Sequence, residues 1–490
     1  MTTTVHDVVG DPADASTPRR PEKNGWLGPL LLRLHFYAGV LIGPFILVAA
    51  TSGALYALTP QIEQVVYSDQ LHAPEADSYL SLADQITAAE AYVGPDEQLV
   101  AVRPAPEPGD TTRVMYAGDD LGESETRAIF VDPATAEIRG DLTAYGTSGA
   151  LPVRHWVSDL HRSLHLGDVG RLYSETAASW LGVVSLAGLG LWVIQLRRTR
   201  AKKARDRAKD KPARTASPAT GYARSRSWHT TTGVWVFAVA LFLSVTGITW
   251  SQYGGGNFSD LRAAVGWTTP SVTTDLTGTA DGPVDEHAAH GHTAPTPGAE
   301  TTQVSPGAFD SVLAIGQDVN INTGLVEIRP PSEPGTAWVV QEIHRSYPTE
   351  VDAVAIDGQT MQVVDRVDFA DFNLVAKLSR WGIDIHMGSM FGLANQLVLF
   401  VAALAIASMV VWGYRMWWQR RPTRDLQRLV GTPPARGALR QTPWWGTALA
   451  LVVAAAIGLF LPLMGITLAA FLVVDLAVGR WKAQQVGSSS

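Results

Sequence analysis

A long apolar stretch that contains a single histidine places the strongest limit on the folds that this chain can adopt. Residues 34–58 have no acidic or basic side chain except His35. As an α-helix, a stretch of this length crosses the hydrocarbon core of a bilayer. An ionisable side chain in a spanning helix is a candidate functional residue, because such groups are costly to bury in lipid.

The same pattern occurs a second time, in residues 227–251. Both stretches have a histidine, a glycine four residues later, and a hydroxyl residue followed by a glycine. These residues are His35, Gly39 and Ser52-Gly53 in the first stretch, and His229, Gly233 and Thr246-Gly247 in the second. Agreement at three positions indicates an internal repeat, and a repeat decides the fold prediction.

Apolar and polar segments alternate along the 490 residues and predict six membrane spans. The predicted segments are a disordered cytoplasmic tail (1–25), span 1 (26–58), outer domain 1 (59–151), an outer amphipathic segment with span 2 (152–196), a basic cytoplasmic linker (197–229), span 3 (230–253), outer domain 2 (254–380) with a disordered insert (271–305), span 4 (381–414), a second basic cytoplasmic linker (415–443), and a hairpin of spans 5 and 6 (444–478).

Lysine and arginine near the span ends predict the orientation. Residues 197–229 contain twelve basic residues and two acidic ones. The segments that follow span 1 and span 3, residues 59–151 and 254–380, are acidic. Basic loops stay in the cytoplasm. We therefore expect a multi-pass protein of the cytoplasmic (inner) membrane with both termini in the cytoplasm.

Each outer segment is predicted to be a small α+β domain. Short runs rich in β-branched and aromatic residues, separated by turn residues, indicate strands, and each set follows a helical segment. The predicted helices are 81–91 and 307–317, and the predicted strands are 98–102, 113–116, 128–132, 325–328, 337–342 and 353–357. The fold class is thus an α-helical membrane protein with a four-helix core from two parallel repeats, a C-terminal two-helix hairpin, and two outer α+β domains.

The second span of each half also carries histidine. The spacing from His165 to Trp192 is nearly the same as the spacing from His386 to Trp412, and this similarity pairs His165 with His386. His161 lies four residues before His165 and is the alternative partner. A parallel repeat has its axis along the membrane normal. We therefore expect His35 opposite His229 near the inner face, and His386 opposite His161 or His165 near the outer face.

Two facing histidines inside a helical bundle suit b-type haem, since imidazole binds iron and facing helices can supply both axial ligands. The chain has no cysteine, which excludes disulfides, iron–sulfur clusters and thiolate-ligated haem. The axial-ligand candidates are His35, His229, His161, His165 and His386. Ligands near opposite faces of the membrane predict two haems.

Several motifs together resemble the PepSY-associated transmembrane family, which includes iron-regulated membrane proteins and ferric-siderophore reductases. They are HFYAGVLIGPF with SGALYAL, LHRSLHLGDVGR with ETAASW, WHTTTGVW with TGITWS, and IHMGSMFGLANQ. The resemblance covers about residues 33–415 and implies PepSY-like outer domains. It also implies a haem-dependent reductase that passes electrons outward to ferric siderophores. The family motif places the histidine of span 2 at His161, and His165 falls where the family has an apolar residue.

The resemblance and the histidine pattern together predict the partners. They are a ferric siderophore, membrane lipid, and an electron donor that is either a cytoplasmic protein or a quinol, with no nucleic acid. Three other classes of function stay open. The first is a non-redox sensor or regulator of an extracytoplasmic partner, and the second is a transporter of iron, haem or siderophore. The third is a structural membrane-assembly protein, which would not need the repeated histidines. A haem spectrum of the purified protein separates the first of these from a reductase.

Overall fold

The structure is a computed structural model that describes residues 26–122, 124–208, 221–277, 304–421, 433–435 and 442–487. The predicted tail (1–25) lies outside the described residues. So do most of the predicted insert and parts of both predicted basic linkers.

The described residues form thirteen α-helices and eight β-strands. The helices are α1 (Leu27–Leu41), α2 (Gly43–Val66), α3 (Ser68–Leu71), α4 (Leu82–Val93), α5 (Pro152–Ser163), α6 (Gly167–Ala208), α7 (Tyr222–Thr249), α8 (Tyr253–Ala264), α9 (Gly307–Asp318), α10 (Leu374–Met387), α11 (Gly392–Gln419), α12 (Trp444–Phe460) and α13 (Pro462–Gly487). The strands are β1 (Gln98–Arg103), β2 (Thr112–Ala117), β3 (Glu125–Val131), β4 (Ile138–Tyr145), β5 (Val326–Arg329), β6 (Trp338–Glu342), β7 (Ala353–Asp357) and β8 (Gln362–Val367).

Five of these helices are long and apolar enough to cross a membrane: α2, α6, α7, α11 and α13. Four of them form a closed bundle, because α2 and α7 each pack against both α6 and α11. The centre of the bundle contains small and branched side chains, including Ala177, Ala240 and Ile406. Small residues let helix backbones approach closely, which favours association in lipid. The chain is therefore a multi-pass membrane protein.

The first predicted span is divided in the structure. Helix α1 ends at Leu41 and α2 begins at Gly43, with Pro44 in the first turn of α2. Proline has no backbone N–H to donate and is best tolerated in the first turn of a helix, so Pro44 marks a new helix start. Helix α1 is a separate helix of 15 residues, and α12 is likewise a shorter apolar helix of 17 residues.

All eight strands form one antiparallel sheet in the order β4-β3-β2-β1-β5-β6-β7-β8. The two predicted outer domains contribute four strands each, and they join where Val102 of β1 pairs with Ile328 of β5. Helices α4 and α9 cover one face over a shared apolar core that includes Ile86 and Phe309. The six predicted strands and two predicted helices are confirmed, with ends that differ by at most three residues.

The outermost strands β4 and β8 were not predicted from the sequence. Most side chains of β8 are exposed, and those of β4 are largely half-buried. Neither strand has the full apolar face that identifies a strand in a sequence.

The C-terminal helices attach to the bundle through α13, which packs against α6 and α8. Asp475 pairs with Arg33 of α1 at 2.8 Å, and Trp180 Nε1 donates a hydrogen bond to Thr467 Oγ1 at 2.9 Å. The hairpin therefore packs against the side of the bundle that contains α1 and α6.

Candidate functional site

A first histidine pair lies between α1 and α7. The ring centroids of His35 and His229 are 6.0 Å apart, and their planes cross at 80°. His35 Nδ1 lies 2.9 Å from the Val184 carbonyl oxygen on α6, and His229 Nδ1 lies 3.1 Å from the Met409 carbonyl oxygen on α11. A carbonyl oxygen can only accept, so each ring donates from Nδ1.

A second histidine pair lies where α5 and α10 meet the bundle. His161 and His386 line the same cavity. His161 Nδ1 lies 3.0 Å from Ser52 Oγ on α2, and His386 Nδ1 lies 2.6 Å from Thr246 Oγ1 on α7. Each hydroxyl donates its own proton to the backbone carbonyl four residues earlier, at 2.8 Å in both cases. The hydroxyl oxygen is thus left to accept from the imidazole.

All four rings therefore carry their proton on Nδ1 and leave the Nε2 lone pair available. This is the arrangement of metal-ligating histidine, which donates its second ring nitrogen to a backbone carbonyl or a similar acceptor. The Nδ1 acceptors differ, since they are backbone carbonyls at the first pair and side-chain hydroxyls at the second, where the Ala49 backbone also lies within hydrogen-bonding range of the His161 ring.

Equal sequence spacings relate the two halves of the chain. The hydroxyl that meets the second pair follows the first-pair histidine of its own half by the same interval in both halves (52 − 35 = 246 − 229). The carbonyl that meets the first pair follows the second-pair histidine by a second shared interval (184 − 161 = 409 − 386).

The first of these intervals gives the separation of the two pairs along the bundle. His229 and Thr246 both lie in α7, and the helix rises by about 26 Å between them at about 1.5 Å per residue. The two pairs therefore lie near opposite ends of the bundle.

The structure brings His161, and not His165, into the cavity with His386. Helix α5 ends at Ser163, and both Leu164 and His165 have positive φ angles. His165 is exposed, and its ring packs against Trp156 with centroids 4.9 Å apart. The two histidines would share a helix face only if α5 continued, and the left-handed turn prevents this.

The sequence spacing that paired His165 with His386 depended on which tryptophans correspond. The carbonyl partners of the first pair, Val184 and Met409, give the offset between the two halves directly. That offset aligns Trp192 with Trp417 instead of Trp412 (417 − 192 = 409 − 184). It also aligns His161 with His386 (386 − 161 = 409 − 184).

The cavity of the second pair has small apolar walls and a polar rim. Its lining includes Ala49, Ala50, Gly53, Ala57, Ala177, Ala178, Gly247, Trp250, Ala403, Arg162 and Arg171. Arg162 donates to Tyr145 and pairs with Asp159 at 2.9 Å. The Arg171 side chain has no hydrogen-bond or ion-pair partner within the described ranges, so it offers a free cation at the cavity rim.

Glycine gives one ring of each pair its space. A methyl group at Gly53 would lie 3.1 Å from His161 Cε1, and one at Gly188 would lie 3.1 Å from His35 Cε1. These distances are at the tight limit of ordinary contact, so any side chain at either position would press on the ring. Gly53 was part of the sequence repeat. The steric role of Gly188 and the carbonyl acceptors on α6 and α11 had no sequence signal.

Fold and site together define a class: a multi-pass helical membrane protein that carries an antiparallel sheet and two half-buried histidine pairs. The profile of the PepSY-associated TM region matches residues 32–420 of the chain. The chain therefore belongs to the PepSY-associated transmembrane family. No curated protein matches the sequence.

Proposed function

We propose that this protein is a haem-containing reductase of the cytoplasmic membrane that passes electrons outward to ferric siderophores and releases ferrous iron. One observation carries the proposal. Four histidines form two pairs about 26 Å apart along the bundle, and every ring directs Nδ1–H to an acceptor and keeps Nε2 available. Two such pairs match the axial ligands of two b-type haems.

The imidazoles at both places have the chemistry of haem axial ligands. Two imidazoles that share one metal ion at about 2.0 Å per bond have centroids roughly 6 Å apart, and the first pair is at 6.0 Å. At the second pair, small side chains leave room beside the rings, and Arg171 provides a cation for a propionate group. Bound at both places, haem would supply one-electron chemistry at each end of the bundle.

The two shared intervals between histidines and their acceptors support two parallel repeats as the architecture of the bundle. The basic linkers adjoin the first pair, so we place His35 and His229 on the cytoplasmic side, next to a donor protein or a quinol. The sheet follows the end of the bundle that holds the second pair. We therefore place His161, His386 and the sheet outside.

The substrate would gain one electron per iron on the outer side. Siderophore donors are hard oxygen atoms, and these hold the ferric ion more strongly than the softer ferrous ion. Reduction therefore weakens the chelate and releases iron. The function would be electron delivery at the sheet side of the membrane, with no group of the protein bonded to the substrate iron.

The test begins with purified protein expressed with adequate haem. We expect two b-type haems per chain with low-spin bis-histidine spectra. In proteoliposomes of known orientation, a reductant on the basic-linker side should reduce both haems, and an outer ferric siderophore should reoxidise them. The ferrous product would be trapped by a membrane-impermeant chelator. Haem-free protein would contradict the proposal, and haems that the siderophore never reoxidises would favour a haem-based sensor.

A further inference from the structure

Five arginines gather between the sheet and the bundle, above the cavity of the second pair. They come from four separate parts of the fold: the strands β1 and β2, the segment after β6, helix α5 and helix α10. They are Arg103, Arg113, Arg345, Arg154 and Arg380, here called the arginine cluster. Each is close enough to another member for their charges to interact.

A single turn brings three of the cluster arginines together. The turn of residues 146–149 follows β4, and its two glycines have positive φ. The Thr147 carbonyl accepts from Arg103 Nη2 at 3.1 Å, and the Thr147 hydroxyl accepts from Arg345. The Gly149 carbonyl accepts from Arg113 Nη1 at 3.3 Å. A methyl group at Gly149 would collide with Arg103 Nη1, so the guanidinium groups lie directly against this backbone.

Two nearby carboxylates already pair with members of the cluster. Glu327 pairs with Arg103 at 2.6 Å and also lies 3.7 Å from Arg329, which is outside the cluster. Asp384 pairs with Arg380 at 3.0 Å.

Two other acids lie close to the cluster. Glu63 accepts from the backbone N–H groups of Leu151 and Arg154 at the start of α5. Asp110 is within electrostatic range of Arg113, and its Oδ1 lies 3.1 Å from the ring of His72. Each of these four acids therefore already has a hydrogen-bond or ion-pair partner other than Arg113 and Arg345.

Arg113 and Arg345 consequently face only neutral hydrogen-bond partners. Neither forms an ion pair in the part of the chain that the structure describes. Burial and the neighbouring Arg103 lower the pKa of Arg113 to about 10. Burial and the other cluster arginines lower the pKa of Arg345 to about 9. The carboxylates of Glu63 and Asp110 near Arg113, and of Asp384 near Arg345, act in the opposite direction and offset part of this effect.

We propose that the arginine cluster binds the carboxylate groups of an anionic ferric chelate, and so selects anionic over neutral or cationic chelates. This inference rests on the reductase function proposed above. Guanidinium groups bind carboxylates in a bidentate manner, and a rigid set of them is specific for planar anions. Arg113 and Arg345 are only half-buried, so an anion can reach them.

The cluster is also in contact with the site of the second pair. Arg154 Nε donates to Tyr56 Oη at 3.2 Å, and Tyr56 lines the cavity that contains His161 and His386. A chelate held by the arginines would therefore lie next to the outer electron exit. The cluster would both bind the substrate and orient it toward the cavity.

The test uses gallium(III) citrate, a redox-inert anionic chelate, and a neutral gallium(III) trihydroxamate on the purified full chain. Calorimetry should show binding of gallium citrate only. Arg345→Gln and Arg113→Gln should each weaken it roughly tenfold, because each removes a charge-assisted hydrogen bond. Arg345→Lys should recover part of the affinity, since it restores charge without the bidentate geometry. The control is Arg139→Gln, an arginine of the same sheet outside the cluster, which should bind normally.

Thermal unfolding separates ligand binding from a structural role. Without ligand, Arg345→Gln should be at least as stable as the wild type, because it removes a desolvated charge that lies beside three other cluster arginines. Gallium citrate should raise the unfolding temperature of the wild type and not of the variant. Lower ligand-free stability with unchanged citrate affinity would overturn the proposal.

Three further outcomes are informative. Equal binding of both gallium chelates, unaffected by the variants, would overturn the inference. The inference would also be overturned if inorganic phosphate or vesicles of anionic lipid bound at the arginine cluster and displaced gallium citrate. The cluster would then be a phosphate or lipid-headgroup site. Arginine-dependent binding of gallium citrate in a protein that does not reduce iron would support the site while the reductase function failed.

Discussion

The two histidine pairs have the same tautomer and the same available nitrogen, but different surroundings. At the first pair, the rings are 6.0 Å apart, and backbone carbonyls of α6 and α11 hold both Nδ1 atoms. At the second pair, Ser52 and Thr246 hold the Nδ1 atoms, and the rings line a cavity with arginines at its rim. The first pair lies between α1 and α7, and the second lines a cavity at the end of the bundle nearer the sheet.

In the proposed reductase, this difference would correspond to different roles for the two pairs. Backbone acceptors are held by the helix itself, so no side-chain substitution removes the acceptors of the first pair. Hydroxyl acceptors belong to side chains, so a substitution can change or remove them. Hydrogen bonds of this kind to the second ring nitrogen adjust the basicity of a histidine ligand. In the proposed reductase, the first pair would serve as an internal relay, and the second would exchange electrons with a substrate on the sheet side.

The largest expected effect comes from removing the ring nitrogens. His386→Ala or His161→Ala should lower the haem content from two per chain to one, with the loss at the second pair. His35→Ala or His229→Ala should remove the other haem. Pyridine haemochrome assay of the purified variants measures this directly. The control is His165→Ala, four residues from His161 and exposed, which should keep both haems. Retention of both haems by His161→Ala would reject the pairing.

An intermediate effect is expected from the hydroxyl acceptors, which occur only at the second pair. Ser52→Ala or Thr246→Val leaves an Nδ1–H without its acceptor. Loss of such a partner typically weakens metal binding about 10–100-fold. Haem transfer to apomyoglobin should therefore accelerate for one haem and stay unchanged for the other. Thr51→Ala is the matched control, because Thr51 is exposed and bonds only to carbonyls of its own helix. Equal acceleration at both pairs would show that the acceptors do not distinguish them.

The smallest expected effect is steric and concerns the first pair. In Gly188→Ala the new methyl group would lie 3.1 Å from His35 Cε1, so the ring must shift by a few tenths of an ångström. We expect a change in the low-spin electron paramagnetic resonance of one haem without loss of haem.

The matched control for this variant is in the other half of the chain. Gly413 occupies the position that corresponds to Gly188 (413 − 188 = 409 − 184), and a methyl group there would meet nothing within 4 Å. Gly413→Ala should leave both signals unchanged. Identical spectra for both variants would mean that Gly188 does not set the ring position.

Much of the architecture follows from local sequence. Apolar runs of bilayer length and the positive charges beside them predict spanning helices whatever their neighbours are. Alternating β-branched residues likewise predicted six of the eight strands, because a buried face leaves its period in the sequence. The repeated histidine, glycine and hydroxyl positions were visible for the same reason, since a repeat preserves spacing along one helix.

Contacts between distant segments were decided only by the tertiary structure. His35 and Val184 are 149 residues apart, and their hydrogen bond depends on how α6 is rotated against α1. The choice of His161 over His165 depended on the left-handed turn at Leu164 and His165, which ends α5. The five arginines of the cluster lie in four parts of the chain, and each alone resembles an ordinary surface charge. Rotation, helix ends and long-range convergence are set by packing of the whole molecule, and so no local pattern records them.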